Sequence, residues 1–208
     1  VIAWTLPTTG GEVLTVIAAI LVGFTLPMTA AQILWINLIL TVTLGLVLAF
    51  EPSEPGVMRR RPRPASAPLL SPFLVWRVVL VSLLFVAGSL AIFFYALGRG
   101  LDVDTARTMV VNTIVVLEIF YLFNVRYLHM TSITWRGVLG TPAVLLAVGA
   151  VVVAQLLFTY APFMHELFAS RPVAFMDGVI IVATGGLLLL ILEAEKTLLR
   201  RLGLFERA

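Results

Sequence analysis

The sequence contains no cysteine and only two histidines, His129 and His165, among its 208 residues. These shortages exclude disulfides, thiolate metal sites, cysteine nucleophiles and a metal cage built from histidines. Charged residues are also scarce at 12%, whereas a soluble domain carries about 25%. The net charge is only +3 and the basic residues lie in short runs between apolar stretches, so we expect no nucleic-acid partner.

Apolar residues make up 61% of the chain and form long runs. A membrane-spanning helix needs about 20 mostly apolar residues. Six segments meet this requirement: Ile2–Phe24, Ala30–Phe50, Val78–Leu97, Met109–Val125, Val138–Tyr160 and Ala174–Leu192. Because the runs are continuous rather than alternating, they favour helices over a β-barrel. The sequence therefore predicts an all-α polytopic membrane protein, a six-helix transmembrane bundle embedded in a lipid bilayer.

The distribution of lysine and arginine predicts the orientation of this bundle. All but three of the 14 basic residues fall in the loops after spans two and four and in the tail; the exceptions are Arg99, Arg107 and Arg171. By the positive-inside rule, both termini are expected to be cytoplasmic. The chain begins at Val1 and lacks a signal peptide, so we expect it to come from a longer protein.

Two acidic residues, Glu12 and Glu118, lie well inside predicted spans. Such residues cost about 2.5–3.5 kcal/mol each on insertion and usually mark a functional site. Thr8 and Thr9 lie four and three residues before Glu12, so their oxygens share its helix face. Pro7 and the glycines that precede Glu12 weaken that helix, and we expect a kink and a close approach of a neighbouring helix there.

The second span carries Asn37 and Thr41 four residues apart, hence on one face. The short hairpin at residues 25–29 makes spans one and two neighbours. Carboxylate, amide and hydroxyl oxygens are the ligands that a hard cation prefers, which predicts a metal-cation site between these spans. The residues alone also permit a structural interpretation, in which the acids are neutral and Asn37 bonds a neighbouring helix.

The stretch from Gln32 to Leu38, which closes at Ala49-Phe50-Glu51-Pro52, resembles the sixth transmembrane helix of type II cation-transporting P-type ATPases. Residues 6–14, with Gly11-Glu12, are similar to the fifth helix of that family. Glu118 falls where the eighth helix carries its glutamate. The resemblance covers nearly the whole chain, as helices five to ten, and its closest pattern is that of bacterial members related to calcium pumps.

The resemblance implies that the chain is divided into three parts. Residues 1–52 form the ion-site helix pair, residues 53–76 a cytoplasmic loop rich in arginine and proline, and residues 77–208 a four-helix supporting region with a cytoplasmic tail. It further implies an ATP-driven pump of the bacterial inner membrane whose substrate is a metal cation. Mg-ATP would bind to upstream nucleotide-binding, phosphorylation and actuator domains of the same parent chain.

The resemblance also assigns ligands. Glu12, Asn37 and Glu118 match family ion ligands, whereas Thr9 stands where the calcium pump has Asn and Thr41 where it has Asp. Because Thr41 replaces an Asp, the site has one carboxylate fewer than that of the calcium pump, and this favours one divalent ion, or a monovalent ion, over two divalent ions. The chain has no P-loop or hydrolase motif, so two alternatives stay open at this point: a stand-alone secondary transporter of cations or protons, and a non-catalytic membrane scaffold subunit.

Overall fold

The computed structural model describes residues 2–47, 71–126 and 142–201, and the regular structure within these ranges is entirely helical. The helices are α1 (Ile2–Val22), α2 (Ala30–Leu40) with a π-helical continuation (Thr41–Gly45), α3 (Pro72–Gly98), α4 (Val103–Arg126), α5 (Pro142–Tyr160), α6 (Pro162–Phe168) and α7 (Phe175–Arg201). Most of the predicted loop at residues 53–76, together with His129, lies outside the described residues.

Five of these helices, α1, α3, α4, α5 and α7, are long and apolar enough to cross a membrane. The second predicted span corresponds to a shorter apolar helix, Ala30–Gly45, and its predicted end at residues 48–50 lies outside the described residues. The prediction of an all-α polytopic membrane protein is thereby confirmed.

Several predicted helix ends were wrong. α3 begins at Pro72 rather than Val78, because Ser71 caps the helix and accepts a hydrogen bond from the Leu74 amide. α4 begins at Val103 rather than Met109, and α7 continues to Arg201 rather than ending at Leu192. In α4 and α7 the helix continues into polar residues, which an apolar window leaves out, whereas the added start of α3 is apolar up to the charged Arg77.

α4 lies at the centre of the bundle. In its most apolar stretch 72% of the residues are buried, against 28–33% in the other four long helices. It packs against α3 on one side and α7 on the other, and α1 packs on α3 and also reaches α4. This arrangement brings the two helices that carry the intramembrane acids into contact.

The hairpin between α1 and α2 is anchored to the rest of the bundle. α1 ends at Gly23, whose φ of 80° lies in the region that favours glycine. The Phe24 ring packs 6.2 Å from that of Phe93 and 5.1 Å from that of Phe94. Nε of Arg107 donates to the carbonyl of Leu26 at 2.9 Å. The C-terminal end of α1 is therefore tied to both α3 and α4.

α1 is one continuous helix despite Pro7. Proline has no N–H, so the carbonyl four residues earlier, that of Ala3, loses its partner within the helix. The hydroxyl of Tyr121 on α4 donates to this carbonyl at 2.7 Å. The hydroxyl of Ser82 on α3 donates to the Pro7 carbonyl at 2.9 Å. Side chains from two other helices thus bond the proline turn.

The predicted close approach next to Glu12 is confirmed. A Cβ built on Gly11 would lie 2.4 Å from the Cβ of Phe85, and one on Gly10 would lie 2.6 Å from Oγ of Ser82. Only residues without a side chain allow α1 and α3 to pack so tightly at this level.

The C-terminal half of α7 carries a buried charged cluster. Nζ of Lys196, 1% exposed, lies 2.9 Å from Oε1 of Glu193 and donates to the Asn124 carbonyl at 2.9 Å. Arg77, predicted to lie in a loop, is fully buried in α3 and pairs with both Glu195 and Asn124. Glu193 lies just beyond the predicted end of the last span, but the helix continues and buries it at 8% exposure.

Candidate functional site

One small cavity lies among α1, α2, the start of the π-helical segment and α4. The space available to a water-sized sphere is about 10 Å³, close to the minimum for one water molecule. Its lining comprises Trp4, Thr5, Thr8, Thr9, Glu12, Asn37, Leu40, Thr41 and Glu118. All six residues that the sequence singled out as cation ligands line this one cavity.

Glu12 and Asn37 form the link between the first two helices of the cavity. Glu12 is 4% exposed, and its Oε2 accepts a hydrogen bond of 2.9 Å from Nδ2 of Asn37. The same amide nitrogen donates to the carbonyl of Ile33 at 3.0 Å. Because the amide nitrogen is used twice, the amide oxygen of Asn37 is the atom of this side chain suited to coordinate a cation.

Glu118 brings the second carboxyl group. It is 2% exposed, and it lines the same small cavity as Glu12. Two carboxylates in one small buried cavity repel each other unless a proton or a cation lies between them. The backbone carbonyl of Glu118 accepts a hydrogen bond of 3.4 Å from the indole of Trp4. The pair can therefore hold a positive charge at a point where three helices meet.

The three threonines differ in their surroundings. Thr8 is 2% exposed, and its hydroxyl donates to the carbonyl of Thr5 at 3.2 Å. Thr9 and Thr41 also line the cavity, but both are exposed among the described residues. The cavity is consequently closed on the α4 side and open towards the face of α1 and α2 that carries Thr9 and Thr41.

Thr41 opens the π-helical segment, which no sequence pattern indicated. The backbone N–H of Leu46 donates to the carbonyl of Thr41, five residues earlier, so the turn that begins at Thr41 is wider than an α-helical turn. π-helical turns are rare and occur frequently at functional sites. The widened turn places the Thr41 side chain in the wall beside Leu40.

Sequence reasoning also missed Trp4 and Tyr121. Trp4 is 2% exposed and lines the cavity, although its residue type suggested only an interfacial or packing role. The signal that could have found it is spacing, since Trp4, Thr8 and Glu12 follow one another at intervals of four on one helix face. Tyr121 could not be found in this way, because its partner is a carbonyl on another helix.

Other polar residues of the spans are not part of the cavity. Gln32 forms a capping box with Thr29, in which each side chain bonds the backbone of the other, and also donates to the Phe168 carbonyl at 3.0 Å. Asn124 belongs to the charged cluster of α7. Across residues 2–47, 71–126 and 142–201, no three His, Asp or Glu side chains group as a metal site, so the cavity offers two carboxylates plus neutral oxygens.

Comparison with known proteins gives a consistent result. The family model described as "Cation transporting ATPase, C-terminus" matches residues 25–198. The chain is 45% identical over 173 residues to the "Probable cation-transporting ATPase F" of Mycobacterium tuberculosis, which covers 83% of this chain and 19% of that protein.

Two further relatives are more distant. The "Cation-transporting ATPase pma1" of Synechocystis is 31% identical over 176 residues, which is 82% of this chain and 19% of that protein. The "Calcium-transporting ATPase 1" of Schizosaccharomyces pombe is 29% identical over 182 residues, which is 88% of this chain and 20% of that protein. The chain spans about a fifth of the length of these relatives.

Proposed function

The chain belongs to the family of cation-transporting ATPase C-termini, and from this premise we propose that its cavity is part of the path along which an ATP-driven pump moves a metal cation. The resemblance to P-type ATPases read from the sequence is confirmed by the family match and by the relatives. The chain is an integral, multi-pass membrane segment of such a protein.

The observation that carries the proposal is the convergence of Glu12, Asn37 and Glu118 on one buried cavity. A cation entering a bilayer must exchange its water for protein oxygens, and this cavity supplies carboxylate, amide and hydroxyl oxygens. An acid at this depth is costly to bury, so two acids side by side call for a positively charged partner. A transported cation is such a partner.

The charge of the cavity limits the cargo. Glu12 and Glu118 together supply at most two negative charges, which neutralise one divalent cation or up to two monovalent cations. Thr41 occupies the position at which the calcium pump has a third carboxylate, and a threonine hydroxyl adds no charge. We therefore assign one divalent cation, or monovalent cations, to this cavity.

The exposed side of the cavity, at Thr9 and Thr41, is where further ligands from upstream helices of the parent protein would approach. Those upstream parts would also hold Mg-ATP and the phosphorylated aspartate in nucleotide-binding, phosphorylation and actuator domains. Phosphorylation there would shift α1 and so change the geometry between Glu12 and Asn37. The protein would work in a bacterial plasma membrane, as its similarity to mycobacterial and cyanobacterial ATPases suggests.

Family membership favours this pump over a stand-alone secondary transporter that would use Glu12 and Glu118 as carriers. It equally favours the pump over a non-catalytic scaffold subunit. In both alternatives the same acids would serve without ATP, so cation-dependent ATP hydrolysis distinguishes the three.

The test measures ATP hydrolysis by the full-length protein, in lipid, with Ca²⁺, Mn²⁺, Na⁺ and K⁺ added in turn to Mg-ATP. We expect one of these cations to stimulate hydrolysis, and Glu12→Gln to abolish the stimulation. Asp177→Asn is the matched control, since Asp177 is also a buried acid at 3% exposure but pairs with Arg99 away from the cavity. Cation stimulation that survives in Glu12→Gln would contradict the assignment.

A further inference from the structure

We propose that Tyr121 is a positioning residue, which bonds the carbonyl that Pro7 leaves open in α1 and thereby sets the spacing between Glu12 and Glu118. The inference rests on the proposed function, because it assumes that these two carboxyl groups hold the transported cation. Tyr121 itself does not line the cavity. Its effect on the cation is therefore transmitted through α1.

The hydroxyl of Tyr121 has a specific task in this fold. The Ala3 carbonyl lacks the amide that residue 7 would supply in a helix without proline. A buried carbonyl without a partner costs about 1–3 kcal/mol, and no water is present in a bilayer core to replace the partner. Tyr121 is fully buried, and its hydroxyl lies 2.7 Å from the Ala3 oxygen. The ring is held edge-on against Phe85, with the centroids 6.5 Å apart.

This bond acts on the turn of α4 that carries Glu118. Tyr121 lies three residues after Glu118, which is less than one helical turn. Trp4, the neighbour of Ala3, donates to the backbone carbonyl of Glu118 at 3.4 Å. Two hydrogen bonds therefore fix the first turn of α1 against the Glu118 turn. Since α1 is continuous from Ile2 to Val22, they also fix the axial position of Glu12 relative to Glu118.

The Tyr121 hydroxyl also interacts electrostatically with the Arg77 guanidinium on α3. This interaction links Tyr121 to the buried charged cluster, and it does not involve α1. A test must therefore isolate the bond to Ala3 from the contact with Arg77. A substitution of Pro7 isolates the bond to Ala3, because a backbone N–H at position 7 can take the place of the Tyr121 hydroxyl at the Ala3 carbonyl and at no other contact.

The first comparison is Tyr121→Phe against Tyr160→Phe in the full-length pump. Tyr160 is the matched control, as its hydroxyl also donates to a backbone carbonyl, that of Val173 at 2.8 Å, but at the far end of α5. We expect Tyr121→Phe to raise the cation concentration for half-maximal ATP hydrolysis about three- to tenfold, the range that one hydrogen bond allows. Phosphorylation by inorganic phosphate without cation should change less than about twofold, and Tyr160→Phe should leave both unchanged.

The second comparison uses Pro7→Ala. Alanine restores an N–H that can bond the Ala3 carbonyl within α1. In that background the Ala3 carbonyl should keep a hydrogen-bond partner even when Tyr121→Phe removes the hydroxyl. We expect the effect of Tyr121→Phe to fall below about twofold in the Pro7→Ala background. An equal effect in both backgrounds would overturn the inference, because the bond to Ala3 would not be its source.

The outcomes separate the two proposals. If the wild-type protein responds to no cation, the pump assignment fails and the positioning role fails with it. If the wild-type protein responds but Tyr121→Phe behaves like it, or Tyr160→Phe shifts affinity equally, only the positioning role is wrong. Should Tyr121→Phe not fold, the double variant with Pro7→Ala decides: wild-type affinity supports the role, and a second failure to fold overturns it.

Discussion

Nδ2 of Asn37 lies 2.9 Å from Oε2 of Glu12, so α2 supplies a neutral donor for the carboxylate that α1 carries. A hydrogen bond to a charged group is stronger than one between neutral groups, at about 1.5–3 kcal/mol. This bond therefore fixes the direction of the Glu12 carboxylate within the cavity as well as joining the two helices.

We expect Asn37→Leu to weaken cation binding by at least about tenfold, because it removes both the donor to Glu12 and the amide oxygen. The measurement is the cation concentration for half-maximal ATP hydrolysis by the full-length protein. Asn112→Leu is the control, since Asn112 is also a membrane-embedded asparagine but bonds Gln155 and Thr159 instead. Equal losses in the two variants would show that Asn37 acts only through packing.

Gly11→Ala is expected to destabilise the bundle by about 1–3 kcal/mol, the usual range for an overpacked contact. The added Cβ would lie 2.4 Å from the Cβ of Phe85, which is attached directly to the α3 backbone and cannot rotate away. Gly149→Ala provides the control, because nothing lies within 4 Å of a Cβ at that position in α5. Thermal unfolding in detergent should show a lower midpoint for Gly11→Ala and an unchanged or raised midpoint for Gly149→Ala.

Lys196→Met is expected to cost about 3–5 kcal/mol, because it removes the ammonium that pairs with Glu193 inside the bundle. Neutralising the partner as well should recover most of the loss, so Lys196→Met with Glu193→Gln should unfold at a higher temperature than Lys196→Met alone. The same thermal measurement checks this. A double variant less stable than the single one would show that the ion pair is not the source of the loss.

Asp102 provides a pH-dependent test at the start of α4. Its two oxygens accept from the Thr105 hydroxyl at 2.6 Å and the Thr105 amide at 3.1 Å, and this bonding lowers the pKa of the Asp102 carboxyl below its ordinary value. A lowered folded-state pKa means that the ionised cap stabilises the fold above the unfolded pKa. The contribution decreases as the pH falls through the lowered value.

We accordingly expect Asp102→Ala to cost about 0.5–2 kcal/mol at neutral pH, as the loss of a helix cap does. Asp102→Asn should retain much of the cap but lose its pH dependence. Midpoints of thermal unfolding between pH 7 and about pH 3 check this: the gap between wild type and Asp102→Asn should stay constant above about pH 5 and narrow below. A constant gap down to the lowest pH would contradict the prediction.

The residues alone were sufficient to predict the apolar helices and the clustering of five polar residues between the first two spans. Both follow from local periodicity, since a helix places Thr8 and Glu12, or Asn37 and Thr41, on one face whatever surrounds them. The short hairpin then requires the two faces to be neighbours. Glu118 was placed by its similarity to a family position, and the structure shows it lining the same cavity.

The features that escaped prediction depend on contacts between distant segments. Arg77 and Lys196 were predicted to lie in a loop and in the tail, because their burial depends on other helices: Arg77 pairs with Glu195 and Asn124, and Lys196 donates to the Asn124 carbonyl. The π-helical segment that begins at Thr41 changes the hydrogen-bond pattern, and no proline or glycine precedes its last residue, Gly45, within the helix. Helix ends were misplaced wherever a cap or an ion pair extended a helix beyond its apolar stretch.

The anchored hairpin that follows α1 has a mechanical consequence. Phe24 and the carbonyl of Leu26 tie the far end of α1 to α3 and α4, whereas Ile2 lies at the opposite end, about 30 Å away. The first turn of α1 is held as well, by the hydrogen bonds that join Ala3 and Trp4 to α4, and Glu12 lies midway between these two attachments. A motion that released only the bonds at the first turn would swing α1 about the hairpin and would move the Glu12 carboxylate by about half the displacement of Ile2.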